Sequence, residues 1–348
     1  MALTYHEQLD LKNTAQLREL VKELPAFASD FFRAMEIKKA TNTRRNYAYD
    51  LNTFFYFLRT QNPYFKDKDI RTLPVSILDD IQPVDIEEYL SFLTYYERDG
   101  QLYRNHEEGK ARKLATLNTF FGYYHKKGMI EKNAPSVVDV PRVKEKNIIR
   151  LDANEVAQLI DNVESGEKLT KAQKRWHEKT RDRDLAIIVT LLGTGVRVTE
   201  LVGLDIGDLD FDNGAMRVIR KGGNEDMVYF GEEVEEMLRN YLDERLEMTP
   251  EPGHENALFI SQNNTRITVR SVERLVKKYA STATAKRITP HKLRSTYGTA
   301  LYQETGDIYL VADVLGHKNV NTTRKHYAAM KEERKRRAAN VVQLREKE

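Results

Sequence analysis

The chain has 348 residues, with 56 basic and 53 acidic side chains, a formal net charge of +3 and 40% hydrophobic residues. That length suits about two domains, and the near-neutral balance does not by itself announce a nucleic-acid binder. Cysteine is absent, which excludes disulfides and thiolate zinc sites and fits a reducing compartment.

No apolar run reaches the roughly eighteen residues of a membrane helix, and residues 1–12 lack the apolar core of a secretory leader. A cytoplasmic protein without a membrane span is expected. Residues 13–134 read as helical. Within them, residues 43–59 place Tyr47, Leu51, Phe54, Phe55 and Leu58 at three- and four-residue spacing, a single apolar stripe. Thr41 or Asn42 suits the start of that helix. Residues 84–96 predict a second helix, with Ile86, Tyr89, Leu90, Phe92 and Leu93 inward. Residues 108–127 predict a third, with Leu114, Leu117, Phe120, Phe121 and Tyr124, stopping at Gly128. Asn133-Ala134-Pro135 breaks the pattern. Residues 138–150, with Pro141 and several charges, read as an extended linker. The expected organisation is a helical domain over 1–137, the linker, and a second domain over 151–348.

The second domain opens with helices at 152–163 and 171–192. After Arg197 the period changes. Residues 210–230 alternate and are broken twice by glycine. Asn213-Gly214 is a two-residue hairpin signal, and Gly222-Gly223 makes another turn. A three-stranded meander with Lys221 at its second turn follows. Helices resume at 232–248, 270–280, 292–304 and 308–315, and from 322 into a basic tail. The fold class is mainly α with one small antiparallel β-sheet.

Several familiar motifs fail. Asp208, Asp210 and Asp212 alternate like a calcium loop, but Asn213 sits where the turn glycine belongs and Ile219 where the closing glutamate belongs. No phosphate-cradling G-x-x-x-x-G-K-[ST] segment occurs, Gly193-Thr194-Gly195 follows a helix rather than a strand, and there is no H-E-x-x-H. No cofactor or metal is expected. Charge is segregated: basic pairs and runs occur at Lys38-Lys39, Arg44-Arg45, Lys110-Arg112-Lys113, Lys126-Lys127, 142–146 and 334–337, while acidic residues gather at 232–236. Such segregation makes a positive face on a nearly neutral molecule.

Four short segments share a chemistry. They are Thr194-Gly195-Val196-Arg197-Val198-Thr199-Glu200; Arg220-Lys221-Gly222-Gly223; Thr289-Pro290-His291-Lys292-Leu293-Arg294; and Leu315-Gly316-His317, followed by Thr322, Thr323 and Tyr327. Taken singly, each is ordinary: a surface arginine, a lysine in a glycine turn, a loop histidine, one of 18 tyrosines. Together they supply what phosphoryl transfer needs. Two guanidiniums clamp the non-bridging oxygens as charge gathers there. A tyrosine serves as covalent nucleophile, and lysine or histidine handles the protons.

In that order, T-G-x-R-x-x-E, the hairpin lysine, P-H-x-L-R, L-G-H and a following T-T…Y, the sequence resembles the tyrosine recombinase (phage integrase-like) family. The resemblance covers nearly the whole chain. The front half, with Asn42-Thr43…Tyr47…Leu51…Phe54 and Ala111-Arg112-Lys113-Leu114…Leu117…Phe120-Phe121, is similar to the family's helical core-binding (SAM-like) domain. The second half is similar to its catalytic domain. Residues 182–200, 220–223 and 290–294 look like the single-protein Xer recombinases of Gram-positive bacteria, the XerS type.

The resemblance implies a site-specific DNA recombinase that cleaves and rejoins duplex DNA through a 3′-phosphotyrosyl intermediate. It implies that Arg197 and Arg294 grip the scissile phosphate, Lys221 protonates the leaving 5′ oxygen, His291 assists acid–base transfer, His317 bonds the phosphate and Tyr327 is the nucleophile. Glu200 orients the arginine region. The covalent link conserves the bond energy, in keeping with the missing nucleotide motif. Two departures stand out. Ser295 replaces a second histidine common in relatives, and Tyr327 lies ten residues after His317 where nine is commoner.

The expected partner is a double-stranded recombination site, held by a clamp of two domains and acted on by a homotetramer (or dimer of dimers) on paired sites. Thr43, Arg44, Arg45, Arg112, Lys113 and Lys144 are the candidate DNA contacts, with base readout by the Thr43 or Arg112 helix. The tail from 331 is expected to pack on a neighbouring subunit. The biological outcome is chromosome dimer resolution or integration and excision of a mobile element. Competing readings are a catalytically silent DNA-binding regulator and a type IB topoisomerase.

Overall fold

The structure, a computed structural model, describes residues 4–66, 68–143, 149–220 and 222–317. Lys144, Lys221 and Tyr327 lie outside the described residues. The chain divides into two units, Met1–Lys146 and Asn147–Glu348. Among the described residues no helix is long and apolar enough to cross a membrane.

The first unit begins with α1 (Tyr5–Lys22), started by a reciprocal cap in which the Thr4 hydroxyl accepts from the Glu7 N–H and the Glu7 carboxylate from the Thr4 N–H. Next comes α2 (Ala28–Glu36), then α3 (Thr41–Gln61). The stripe on α3 buries Leu51, Phe54, Phe55 and Leu58 as its spacing predicts, and Phe57 as well. Its cap differs from expectation. The N-cap is Ala40, with no side-chain cap bond, because the Thr41 hydroxyl instead accepts from Arg44 Nη2 at 3.3 Å.

A short α4 (Ile77–Asp80) precedes α5 (Pro83–Phe92), whose proline sits in the first turn where no N–H is needed. The helical reading of 84–96 overran. After Phe92 the chain forms a hairpin, β1 (Tyr96–Arg98) with β2 (Gln101–Tyr103). Its turn residues Asp99 and Gly100 both have positive φ, 54° and 71°, the geometry of a two-residue type I′ turn. Then α6 (Glu107–Lys126) runs to Gly128, at φ 68°. The core is aromatic. Phe31 meets Phe120 edge to face at 5.1 Å, and Phe54 meets Tyr89 at 5.1 Å.

The second unit opens with α7 (Ala153–Ser165), capped by Asp152 and Glu155 and ended by Gly166 at φ 65°. The predicted single helix over 171–192 is two, α8 (Lys171–His177) and α9 (Arg181–Thr194). The break is made by buried polar groups, with no glycine or proline involved. His177, Thr180 and Asp184 all point inward. Asp184 Oδ2 accepts from Thr180 Oγ1 (3.2 Å), Tyr279 OH (3.0 Å) and Lys278 Nζ (3.0 Å), while Oδ1 accepts from Arg183 at 2.7 Å.

From Leu185 to Leu191 helix α9 is buried on every side, as a central helix must be. It continues to α10 (Val198–Gly203) and the antiparallel sheet β3 (Leu209–Asp210), β4 (Ala215–Ile219) and β5 (Glu225–Tyr229), in the order β3-β4-β5. This is the predicted meander, with Met216 opposite Val228 and Ile219 opposite Glu225. Helices α11 (Glu232–Glu247), α12 (Val269–Ala283), α13 (Pro290–Thr305) and α14 (Ile308–Val314) complete the unit. The fold is mainly helical with small antiparallel sheets.

Candidate active site

Gly195 ends α9 in the left-handed region, at φ 63°. A Cβ there would stand 2.4 Å from Tyr297 Cδ1 and 2.9 Å from Leu315 Cδ2. Only glycine fits, on both conformational and steric grounds. The turn delivers Arg197 to the N-cap position of α10 with its side chain 32% exposed. Glu200, one turn on and buried, fixes it from two sides. Glu200 Oε1 accepts from Arg197 Nη1 at 2.7 Å, and Oε2 accepts from the Arg197 backbone N–H at 2.8 Å. A buried carboxylate so paired is a charge-assisted clamp rather than an acid–base group.

The far wall is the end of α14. Gly316, at φ 57°, lets the chain close a reciprocal terminus: Gly316 N–H donates to Asp313 O and His317 N–H to Ala312 O. Among the described residues no backbone N–H reaches the next three carbonyls, and each accepts from an arginine of a different segment. Val314 O accepts from Arg220 Nη2 at 3.2 Å, Leu315 O from Arg294 Nη2, and Gly316 O from Arg197 Nη2 at 3.0 Å. Orphan carbonyls at a helix C-terminus favour cations. Arg294 is 3% exposed, and its Nη1 donates to Gly195 O at 2.5 Å. Two arginines far apart in sequence, Arg197 and Arg294, are thus held on successive carbonyls of one turn.

His317 belongs to that same turn. His291 lies in the first turn of α13, exposed, one helical turn before Arg294, and its carbonyl accepts from Ser295 Oγ at 3.0 Å. Lys221 and Tyr327 lie outside the described residues, so of the six expected catalytic residues the structure describes four. Arg220 was not among them. Its side chain is 11% exposed and meets Glu200 Oε2 at 3.2 Å and Asp226 Oδ2 at 2.9 Å. A half-buried arginine beside a hairpin lysine carries no periodicity signal. Its segment stood out only for the lysine beside it; in the structure Gly316 packs against the arginine, where a Cβ would lie 2.9 Å from Arg220 Cζ. Among the described residues no group of three metal-ligating side chains converges.

The candidate nucleic-acid contacts belong to the first unit. Asp50, 1% exposed, accepts from Arg112, from Lys113 Nζ at 2.9 Å and from Thr116 Oγ1 at 2.8 Å, tying α3 to α6. Lys113 is buried in that pair, whereas the Arg112 side chain is 53% exposed. Arg44 is buried and 3.2 Å from Glu36. Arg45, half-buried, donates to Asn13, to Gln16 Oε1 at 2.9 Å and to Asn42 Oδ1 at 2.7 Å. Thr43 is half-buried beside them.

Known proteins share both the sequence and the fold. The sequence pattern of the phage integrase family matches residues 149–334. Tyrosine recombinase XerC of Caldanaerobacter subterraneus subsp. tengcongensis is 32% identical over 313 residues, covering 86% of this chain and 82% of that protein. XerC of Syntrophus aciditrophicus is 31% identical, covering 89% and 93%. Among solved structures, XerH site-specific recombinase bound to a palindromic difH substrate has a TM-score of 0.62 at 22% identity, covering 86% and 80%. The Tn1549 transposon integrase in complex with a circular intermediate DNA also has a TM-score of 0.62, at 21% identity, covering 89% and 98%. The match over the arginine-bearing unit and the relatives spanning most of both chains lead to one assignment: the chain belongs to the phage integrase family of tyrosine recombinases.

Proposed function

We propose that this protein is a site-specific DNA recombinase that breaks and rejoins duplex DNA through a phosphotyrosyl link. Arg197 and Arg294 bind the non-bridging oxygens of the scissile phosphate. Tyr327 Oη bonds to phosphorus as the bond from phosphorus to the 5′ oxygen breaks. The phenolic proton leaves with the help of His291, the 5′ oxygen takes a proton from Lys221, and His317 donates to the phosphate. Rejoining reverses the step, and no external energy source enters because a phosphoester bond is exchanged for another.

The observation that carries this reading is the gathering of Arg197 and Arg294 on adjacent carbonyls, with Glu200 fixing the first of them. Fixed guanidiniums aimed at a developing anion stabilise the transition state without reorganising. An anionic phosphate is a better acceptor than neutral carbonyls for the same donors.

The DNA site is held through phosphates by Thr43, Arg45 and Arg112, together with Lys144. Arg44 and Lys113 hold their own helices through Glu36 and Asp50. Four subunits act on paired sites in the cytoplasm. The likeness of residues 182–200, 220–223 and 290–294 to the single-protein Xer group favours chromosome dimer resolution over movement of an element.

A nicked duplex that traps the covalent intermediate tests the reading. Wild type is expected to form a protein–DNA adduct and Tyr327→Phe none. An adduct that persists in Tyr327→Phe, or none with wild type on any duplex it binds, refutes it. Exchange between two short duplex sites, rather than relaxation of a supercoiled circle alone, separates recombination from topoisomerase action.

A further inference from the structure

The guanidinium of Arg197 has two acceptors. Glu200 Oε1 takes Nη1 at 2.7 Å, and Gly316 O takes Nη2 at 3.0 Å. Arg220 touches both of them. Its Nη1 donates to the other oxygen of Glu200 at 3.2 Å, and its Nη2 donates at 3.2 Å to Val314 O, two residues before Gly316. The Arg220 guanidinium also lies flush against Gly316, where a Cβ would stand 2.9 Å from Cζ, 3.0 Å from Nε and 3.2 Å from Nη1. On its other side Nε donates to Asp226 Oδ2 on β5 at 2.9 Å, and the Arg220 backbone N–H donates to Asn224 O at 2.8 Å. Arg220 is therefore anchored beside the sheet and reaches α10 and the turn after α14.

We infer that Arg220 is a positioning residue for the phosphate grip: it braces Glu200 and the Gly316 turn, and so holds Arg197 in the direction that the scissile phosphate requires. This rests on the function proposed above. Two effects act together. The first is geometric. A shift of either acceptor of Arg197 strains a bond of Arg220, whose planar fork leaves in fixed directions toward three segments. A misplacement of about 1 Å at a reacting centre can cost roughly a hundredfold in rate. The second is electrostatic. The Glu200 side chain is 2% exposed, so its charge is poorly screened by water. Paired with Arg197 alone, it would cancel the charge that has to meet the phosphate. Shared between Arg197 and Arg220, it leaves two guanidiniums on one carboxylate and a net positive group. Asp226 offsets this little, because its side chain is 45% exposed.

The test uses the full chain and two nicked suicide duplexes of one sequence. In one the scissile linkage is the ordinary anionic phosphodiester. In the other a methyl group replaces a non-bridging oxygen, so the linkage is neutral and carries one negative charge less as phosphorus is attacked. A residue acting through the arginine grip matters less on the neutral linkage, whereas a residue that only holds the fold matters equally on both. Strand cleavage is timed, and each variant is compared with wild type on the same duplex. Arg220→Gln is expected to cleave the phosphodiester about a hundredfold more slowly than wild type. On the neutral linkage it should come within a few fold of wild type, as Arg197→Ala does. Equal slowing on both duplexes places Arg220 with the fold and overturns the inference. So does an unaltered rate on the phosphodiester.

Arg197→Ala separates the two readings. If it is slowed equally on both duplexes, or if wild type cleaves neither, the functional reading fails and the positioning role falls with it. If Arg197→Ala recovers on the neutral linkage and Arg220→Gln does not, the positioning role alone fails. Asp226→Asn keeps the guanidinium on Glu200 and Val314 and perturbs only its most exposed partner. It carries the test if Arg220→Gln does not fold, with a several-fold loss confined to the phosphodiester; an equal loss on both, or none, counts against the inference.

Discussion

Replacing Gly195 by alanine perturbs the turn that presents Arg197. Two costs follow from the structure. The residue sits at φ 63°, where an L side chain costs about 1–2 kcal/mol. The new Cβ lies 2.4 Å from Tyr297 Cδ1 and 2.9 Å from Leu315 Cδ2, and Leu315 is 2% exposed, so the neighbours have little room to yield. Overpacking of this kind costs about 1–3 kcal/mol. The sum is about 2–5 kcal/mol. At roughly 2–4 °C per kcal/mol for a unit of this size, melting falls by about 10 °C.

The chain has a single tryptophan, Trp176, on α8 of the same unit. Its fluorescence in a urea titration reads the transition directly, and the midpoint should fall with the slope unchanged. Gly207→Ala is the internal control. Its φ is not in the positive range and nothing lies within 4 Å of an added Cβ, so its change should stay within about 0.5 kcal/mol. If Gly195→Ala matched Gly207→Ala, the left-handed turn and its close neighbours would not be holding the arginine loop, and the steric argument would be wrong.

Asp50→Asn leaves the ammonium of Lys113, 8% exposed, without its carboxylate. Removing one partner of a buried pair costs about 3–5 kcal/mol, and circular dichroism in urea should show the first unit melting early; a loss below about 1 kcal/mol would mean Lys113 finds water. Arg112→Ala is expected to change which duplexes are preferred as well as how tightly they bind, measured on a randomised pool, and a uniform loss across sequences would leave only phosphate contact. Burial holds the His177 imidazole below its ordinary 6.5. The unfolded chain therefore takes up that proton first as pH falls through 6.5, so the contribution is fully present above 6.5 and declines as pH drops toward the folded value. The urea midpoint reported by Trp176 should fall between pH 7.5 and 5.5 in wild type and fall less in His177→Gln; equal slopes in the two proteins would remove His177 from the account.

The parts of the fold readable in the sequence were those set by local periodicity or local turn chemistry. The α3 stripe and the Gly128 stop are of this kind; at Asn213-Gly214 the turn was legible but not its length, since Asp210 pairs with Ala215 and leaves a four-residue loop where a two-residue turn was expected. The β1–β2 hairpin was also readable, since Asp99-Gly100 is a turn dipeptide, but a helical pattern on both sides masked it. The break between α8 and α9 was not readable. It depends on Asp184 meeting Lys278 and Tyr279, almost a hundred residues away. At the site, Arg197 and Arg294 stood out through motif order. Arg220 did not, because its acceptors lie on α10, β5 and α14, and nothing about residue 220 alone distinguishes a hydrogen-bonded hub from a solvated turn charge.

The end of α14 carries one more consequence. The successive carbonyls of Val314, Leu315 and Gly316 are the points to which three guanidiniums are tethered. One turn thus couples three distant segments: a residue inserted into or removed from it would shift Arg197, Arg220 and Arg294 at once.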